Sequence, residues 1–267
     1  MIILGQRAVY HKLVYEVRYD QGFVYLDRCG TTANRIVQNF PEWLLSAQNV
    51  NPQQAPLTHA ITGIKFNFGP LKYDFSLDQR INTDAPIGKQ DVDDFVREVE
   101  SVSTIVHEEL ELKQFTREGF RVWYIFPTKS DEDSREWICK LRGFSIQSQL
   151  IEAFSGVLES LGFTMVIKSD DRKFRISVNA VERTEQLDLG SETLRVLPRS
   201  LPKKQRDHLL EQLKIKHRLL VNPECGVMID VDAYVEDPIE IAPADFITES
   251  LNRIEQSLPA ALAGGGL

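Results

Sequence analysis

GVMIDVDAYVED, residues 226–237, alternates strictly: Val227, Ile229, Val231 and Ala233 fall on one parity, and Met228, Asp230, Asp232 and Tyr234 on the other. Successive side chains of a strand point to opposite faces, so this stretch reads as a strand with one face on a core and the other in water. One wet face is the habit of antiparallel sheets in α+β proteins; parallel sheets are buried on both sides. The same alternation poses a chemical question. Two carboxylates on one face, about 7 Å apart along the strand, hold a divalent ion only if a neighbouring strand or loop adds a third oxygen. KFRISVNAV (173–181) instead offers Arg175 beside Ser177 and Asn179 on its polar parity. The expectation is therefore that Asp230 and Asp232 are polar-face residues, exposed or paired with basic side chains.

Other segments repeat the pattern. LVYEVRY (13–19), ITGIKFNF (61–68), KYDFSLD (72–78), GFRVWYIFP (119–127) and TMVIKSDDRKFRISVNAV (164–181) read as strands, with turns at Gly69-Pro70 and at SDDR. QGFVYLDRCG (21–30) extends the first strand or pairs with it, and NVNPQQAPL (49–57) reads as a loop. Helical spacing is clearest in DVDDFVREVESVSTIVHEELEL (91–112), where Phe95, Val99, Val102, Val106 and Leu110 form one stripe behind an acidic first turn. SIQSQLIEAFSGVLESLGF (145–163), stopped by Gly162, and APADFITESLNRIEQSLPAAL (242–262) follow the same rule. TTANRIVQNFPEWLLSAQ (31–48) reads as a helix through Ile36, Phe40 and Leu44, bent or broken at Pro41.

Each half thus runs strand, helix, two or three strands, helix. Asp94–Phe95 and Asp245–Phe246 occupy corresponding places. The predicted fold is α+β: two related lobes, residues 1–115 and 116–262, each a mostly antiparallel sheet covered on one face by helices, the product of an internal duplication. The second lobe carries a basic helical insert at about 185–220, helical from Pro202 to His217, and AGGGL (263–267) is a frayed tail.

The composition of 267 residues, 42% hydrophobic and 26% charged, is that of a soluble globular chain. No apolar run reaches the roughly 20 residues of a membrane span, and the first residues reach Arg7 and His11 without a leader-like apolar region. Cys29, Cys139 and Cys225 are far apart and form no CxxC pair, so neither a disulfide framework nor a zinc cluster is expected and the cytoplasm is the expected location. The net charge of −8 argues against a general nucleic-acid coat.

Candidate sites are few. Lys203, Lys204, Arg206, Lys214, Lys216 and Arg218 form a basic cluster that could meet phosphate or an acidic partner, or be the wet side of an amphipathic helix; no aromatic residue interleaves it. His107 in HEELE lacks the second histidine of a zincin and sits near an apolar stripe, which points to a structural role. Cys29 in CGTT would be a nucleophile only at a helix start with a base beside it. Trp43, Trp123 and Trp137 read as core residues, although Trp123 alternates away from Val122 and Tyr124. No phosphate loop or dinucleotide fingerprint occurs.

The EVR strand near the N-terminus (16–18), MIDVD (228–232) and the closing amphipathic helix together resemble an uncharacterised, sporadically distributed bacterial protein family of about this length. That resemblance implies no catalytic residue; its patchy distribution implies genes that travel with mobile elements or defence systems. The functional expectation is a non-catalytic cytosolic binding or assembly module, without cofactor, that recognises a protein or small-ligand partner and does not engage a membrane. The alternatives are a metal-dependent phosphoryl-transfer enzyme using Asp230 and Asp232, and a nucleic-acid accessory protein using the 199–218 insert.

Overall fold

In the computed structural model, which describes residues 1–20, 22–45, 51, 53–78, 87–141, 153, 158–183 and 224–263, the chain opens with a small ribbon. Its strands, β1 (Ile2–Ile3) and β2 (Gln6–Arg7), turn at Leu4 and Gly5, whose φ angles are 49° and 77°. Then come β3 (Val9–Tyr19), α1 (Gly22–Asn39), β4 (Trp43–Leu45), β5 (Ala55–His59), β6 (Lys65–Phe68), β7 (Lys72–Asp78) and α2 (Lys89–Glu109). The second half supplies β8 (Phe115–Thr128), α3 (Asp131–Cys139), β9 (Gly162–Lys168), β10 (Lys173–Arg183), β11 (Glu224–Glu236) and α4 (Pro243–Ala263).

The two halves merge into one nine-stranded sheet of order β4-β5-β6-β7-β3-β8-β11-β10-β9. Every pairing in it is antiparallel. The first strand that each half gives to this sheet, β3 or β8, lies at the centre, and the last, β7 or β11, lies directly outside it. β3 and β8 pair with each other across the middle, with a register shift between Tyr10 and Lys12.

Alternation assigns the faces as the sequence predicts. Leu13, Tyr15 and Val17 of β3, Phe120, Val122 and Tyr124 of β8, and Val227, Ile229 and Val231 of β11 all have 1% exposure or less. The four described helices lie on that side. Tyr25 of α1 meets Phe68 edge-on, His107 of α2 meets Tyr73, Trp137 of α3 packs on Phe126, and Tyr10 bonds to Glu255 of α4. The α2 stripe of Phe95, Val99, Val102 and Val106 is fully buried, as its spacing requires.

Three expectations fail. QGFVYLDRCG is no strand: α1 runs from Gly22, burying Tyr25, Thr32, Ala33 and Ile36, while Phe23 and Leu26 are 86% and 50% exposed. The apolar content looked like a strand, but the turn-spaced residues are the ones that find the core. α1 then ends at Asn39, so the break expected at Pro41 is present, but Leu44 belongs to β4 and is exposed instead of continuing the helical stripe. The proline-containing loop holds β5, in which Pro56 pairs with Asn67 of β6. α3 is also unanticipated; it is capped by Ser130, whose side chain accepts the Asp133 N–H at 3.1 Å, ahead of an acidic first turn. Most of the predicted helix at 145–163 lies outside the described residues, although Gly162 begins β9.

Candidate binding face

The side of the sheet opposite the helices is covered by nothing among the described residues. At its centre β8 presents Arg117, Gly119, Arg121 and Trp123 between Lys12, Val14 and Glu16 of β3 and Asp230, Asp232 and Tyr234 of β11. In register Asp232 lies opposite Arg121, and Asp230 opposite Trp123. The guanidinium groups reach diagonally instead. Arg121 Nε donates to Asp230 Oδ1 at 2.7 Å while its terminal nitrogen bonds Oδ2. Arg117 donates to both oxygens of Asp232 at 2.7 and 2.8 Å and to Glu16 at 3.0 Å.

Arg117 can lie flat because residue 119 is glycine. A Cβ at Gly119 would sit 2.5 Å from an Arg117 terminal nitrogen. The same guanidinium covers the Tyr234 ring at 4.9 Å, and Lys173 approaches that ring at 5.8 Å. Trp123 is held likewise, with Lys12 and Arg121 each 5.2 Å from its ring and His11 stacked beside it. Two aromatic rings, each between two cations, therefore mark the middle of the open face.

Fixed charges on this face are largely paired with one another. Glu16 takes Arg18, Lys72 and Arg117; Asp78 takes Lys12 and Lys65; Glu236 takes Lys173. Burial works to raise the Glu16 carboxyl, but Lys72 and Arg18 outweigh it and hold it below its ordinary value. For Asp232 burial prevails, and its carboxyl lies above the usual range in spite of Arg117. Arg175 and Lys168, toward the β9 edge, are exposed.

Asp230 and Asp232 are thus on the polar parity and engaged by arginines, with Asp230 only 9% exposed. The arginines differ from the one anticipated. Arg175 does lie opposite Asp232 on β10, but the carboxylates turn to β8. Trp43 and Trp137 are core residues, whereas Trp123 is on the open face, as its parity in GFRVWYIFP allowed. Cys29 falls in the middle of α1, not at a helix start, which removes the amides invoked for a nucleophile, and no disulfide joins Cys29, Cys139 and Cys225 to one another. Lys203, Lys204, Arg206, Lys214, Lys216 and Arg218, with the whole 199–218 insert and its predicted helix, lie outside the described residues. Among the described residues no group of three or more His, Cys, Asp or Glu side chains is placed to hold a metal ion, and no helix is long and apolar enough to cross a membrane.

The covered side holds a separate set of polar groups. Glu118, 3% exposed, accepts the Tyr15 hydroxyl at 2.7 Å, and burial pushes its carboxyl up to about 7. His107 Nε2 is 2.7 Å from the Tyr73 hydroxyl, and burial lowers its imidazole to about 4, which gives it the structural role its helix position suggested. Glu98 accepts the Trp43 indole N–H at 3.1 Å, with His59 3.7 Å away. The alternation in TREGF (116–120) puts Glu118 on the apolar parity, a signal for a buried carboxylate that was open to reading.

Comparison with protein-family models, with curated proteins and with solved structures gives no match.

Proposed function

We propose that the chain is a binding or assembly module whose sheet face opposite the described helices docks a protein partner. The observation that carries this reading is the pair of cation-flanked rings, Trp123 and Tyr234, at the centre of a broad face on which no described element packs. Trp, Tyr and Arg are the side chains that dominate the energetics of protein interfaces. Holding them in place before contact reduces the ordering cost of association.

The charge pattern favours a protein over a nucleic acid. A phosphate backbone needs a continuous cationic track, and here Glu16, Asp74, Asp78, Asp230, Asp232 and Glu236 interrupt the cations across the middle of the face, from β7 to β11. A protein surface with both signs of charge can meet such a mosaic, its carboxylates reaching Arg175 and Lys168. The engagement of Asp230 and Asp232 by arginines supports binding over metal-assisted phosphoryl transfer, because a divalent ion would have to displace both guanidinium groups. The resemblance to bacterial genes of patchy distribution suits an accessory component of a mobile-element or defence assembly.

Photocrosslinking in cells tests the reading. A photoreactive amino acid in place of Arg175 is expected to give a discrete protein adduct, and the same group in place of Gln256, exposed on α4, is expected to give none. Adding Trp123→Ala and Tyr234→Ala should abolish the adduct. An adduct to nucleic acid, or one that survives both substitutions, would rule the proposal out.

A further inference from the structure

On the helix side, where the two halves meet, the chain forms a cavity of about 880 Å³. That size is within the ~300–1,000 Å³ of small-molecule sites. The start of β3 contributes Val9 and Tyr10, the approach to α2 and its first turns contribute Ile87 and Val96, and α4 contributes Leu251 and Glu255. Most of its apolar lining is buried or half-buried; among its polar residues Thr248 and Asn252 are exposed, whereas Glu255 is half-buried and its Oε1 accepts the Tyr10 hydroxyl. Burial and the neighbouring Glu255 both raise the Tyr10 hydroxyl above its ordinary range, so it stays a donor.

No cation pairs with Glu255 among the described residues. Arg7, Lys89 and Asp93 also line the cavity but are solvent-exposed, where water and salt screen them. Of the charged groups that line the cavity, the half-buried Glu255 carboxylate is the one least screened by solvent, and it sets the sign of what the cavity can hold. A partly desolvated carboxylate among hydrocarbon walls is stabilised by an ammonium group, which brings the countercharge together with hydrogen-bond donors.

We propose that this cavity binds an organic amine with an apolar body, its ammonium on Glu255 and its hydrocarbon against Val9, Ile87, Val96 and Leu251. The site lies on the other side of the sheet from the docking face and does not depend on it. Isothermal titration of the full chain with hexylamine, 1-hexanol and hexanoate at neutral pH is the test. Saturable binding of hexylamine is expected, about tenfold or more tighter than 1-hexanol, because a charge-assisted contact is added to the same hydrocarbon. Hexanoate should bind more weakly than either. Glu255→Gln should bring hexylamine down to the level of 1-hexanol while leaving 1-hexanol unchanged, which separates loss of charge from loss of fold. Val96→Trp should remove both. Equal affinities for amine and alcohol, hexylamine binding that persists in Val96→Trp, or no saturable binding of hexylamine would each overturn the proposal. Crosslinking from position 175 would be unaffected by any of these outcomes.

Discussion

Replacing Gly119 with alanine isolates the arrangement at the centre of the open face. In a strand interior this change ordinarily stabilises by roughly 0.5–1 kcal/mol, because glycine loses more backbone freedom on folding. Here the added Cβ would lie 2.5 to 2.8 Å from three atoms of the Arg117 guanidinium. The clash itself is cheap to relieve, since the end of a long side chain can swing away. The cost is what the guanidinium gives up: two contacts to Asp232, one to Glu16 and its place over Tyr234. Arg117 and Asp232 side chains are 16% and 20% exposed, so solvent screening is modest. With charge-assisted hydrogen bonds contributing about 1.5–3 kcal/mol, the net effect after the backbone gain is about 1–2 kcal/mol of destabilisation. Urea unfolding should show a midpoint lower by about 0.5 M. In an Arg117→Met background the sign should reverse, and Gly119→Ala should stabilise by roughly 0.5–1 kcal/mol. A neutral or stabilising effect in the parent, or the same loss in both backgrounds, would refute the reasoning.

Acidification should expose two opposed titrations. Glu118, raised to about 7, favours the folded state most when protonated, so its contribution is full below about 4.5 and is lost as the pH rises through 7. His107, lowered to about 4, favours the folded state when neutral, so its contribution is full above about 6.5 and is lost as the pH falls through 4. Glu118→Gln should therefore leave a protein that loses stability between pH 6.5 and 4, and His107→Gln one that gains it, as thermal unfolding across that range would show. Trp43→Phe removes the indole donor to Glu98, which is 8% exposed, and should lower stability by about 2 kcal/mol in denaturant titration. Calorimetric titration with magnesium and manganese should show no binding that Asp230→Ala/Asp232→Ala removes; specific binding lost in that variant would restore the metal-enzyme reading. Among the three thiols, Cys139 is the exposed one and should react first with a thiol reagent in the native state.

What could be read in advance was governed by period. The strands at 13–19, 72–78, 173–181 and 226–236 and the helix at 91–112 each have one dry and one wet side, and alternation or turn spacing displays that directly. Gly22–Gly30, the first half of α1, was misread because Phe23 and Leu26 are apolar yet exposed, which blurs the stripe that Tyr25 forms with Ala33 and Ile36; the second half, from Thr31, was read as helix. β4 was hidden by its shortness, and β5 by its proline, a residue that strand patterns count against. For the face, parity placed Asp230 and Asp232 correctly, but their partners depend on which strand lies on which side. β10 and β11 are near in sequence order, so Arg175 looked like the obvious neutraliser. The arginines that serve come from β8, more than a hundred residues earlier, through a diagonal reach that the glycine at 119 permits. Strand order is a tertiary property, and no local pattern encodes it.

The join between β3 and β8 has a consequence for dissecting the protein. It is the one hydrogen-bonded seam between the two halves of the large sheet, and it brings their leading strands together antiparallel. Antiparallel pairing is the relation that two copies of the same strand adopt about a twofold axis. A fragment ending at Leu112 would bare the flank of β3 along Val9–Tyr19, a row of amide and carbonyl groups that had been satisfied by β8. Such a fragment is built to complete itself with its own twin, so that cutting the chain in two is expected to yield a symmetric dimer in place of a lone domain.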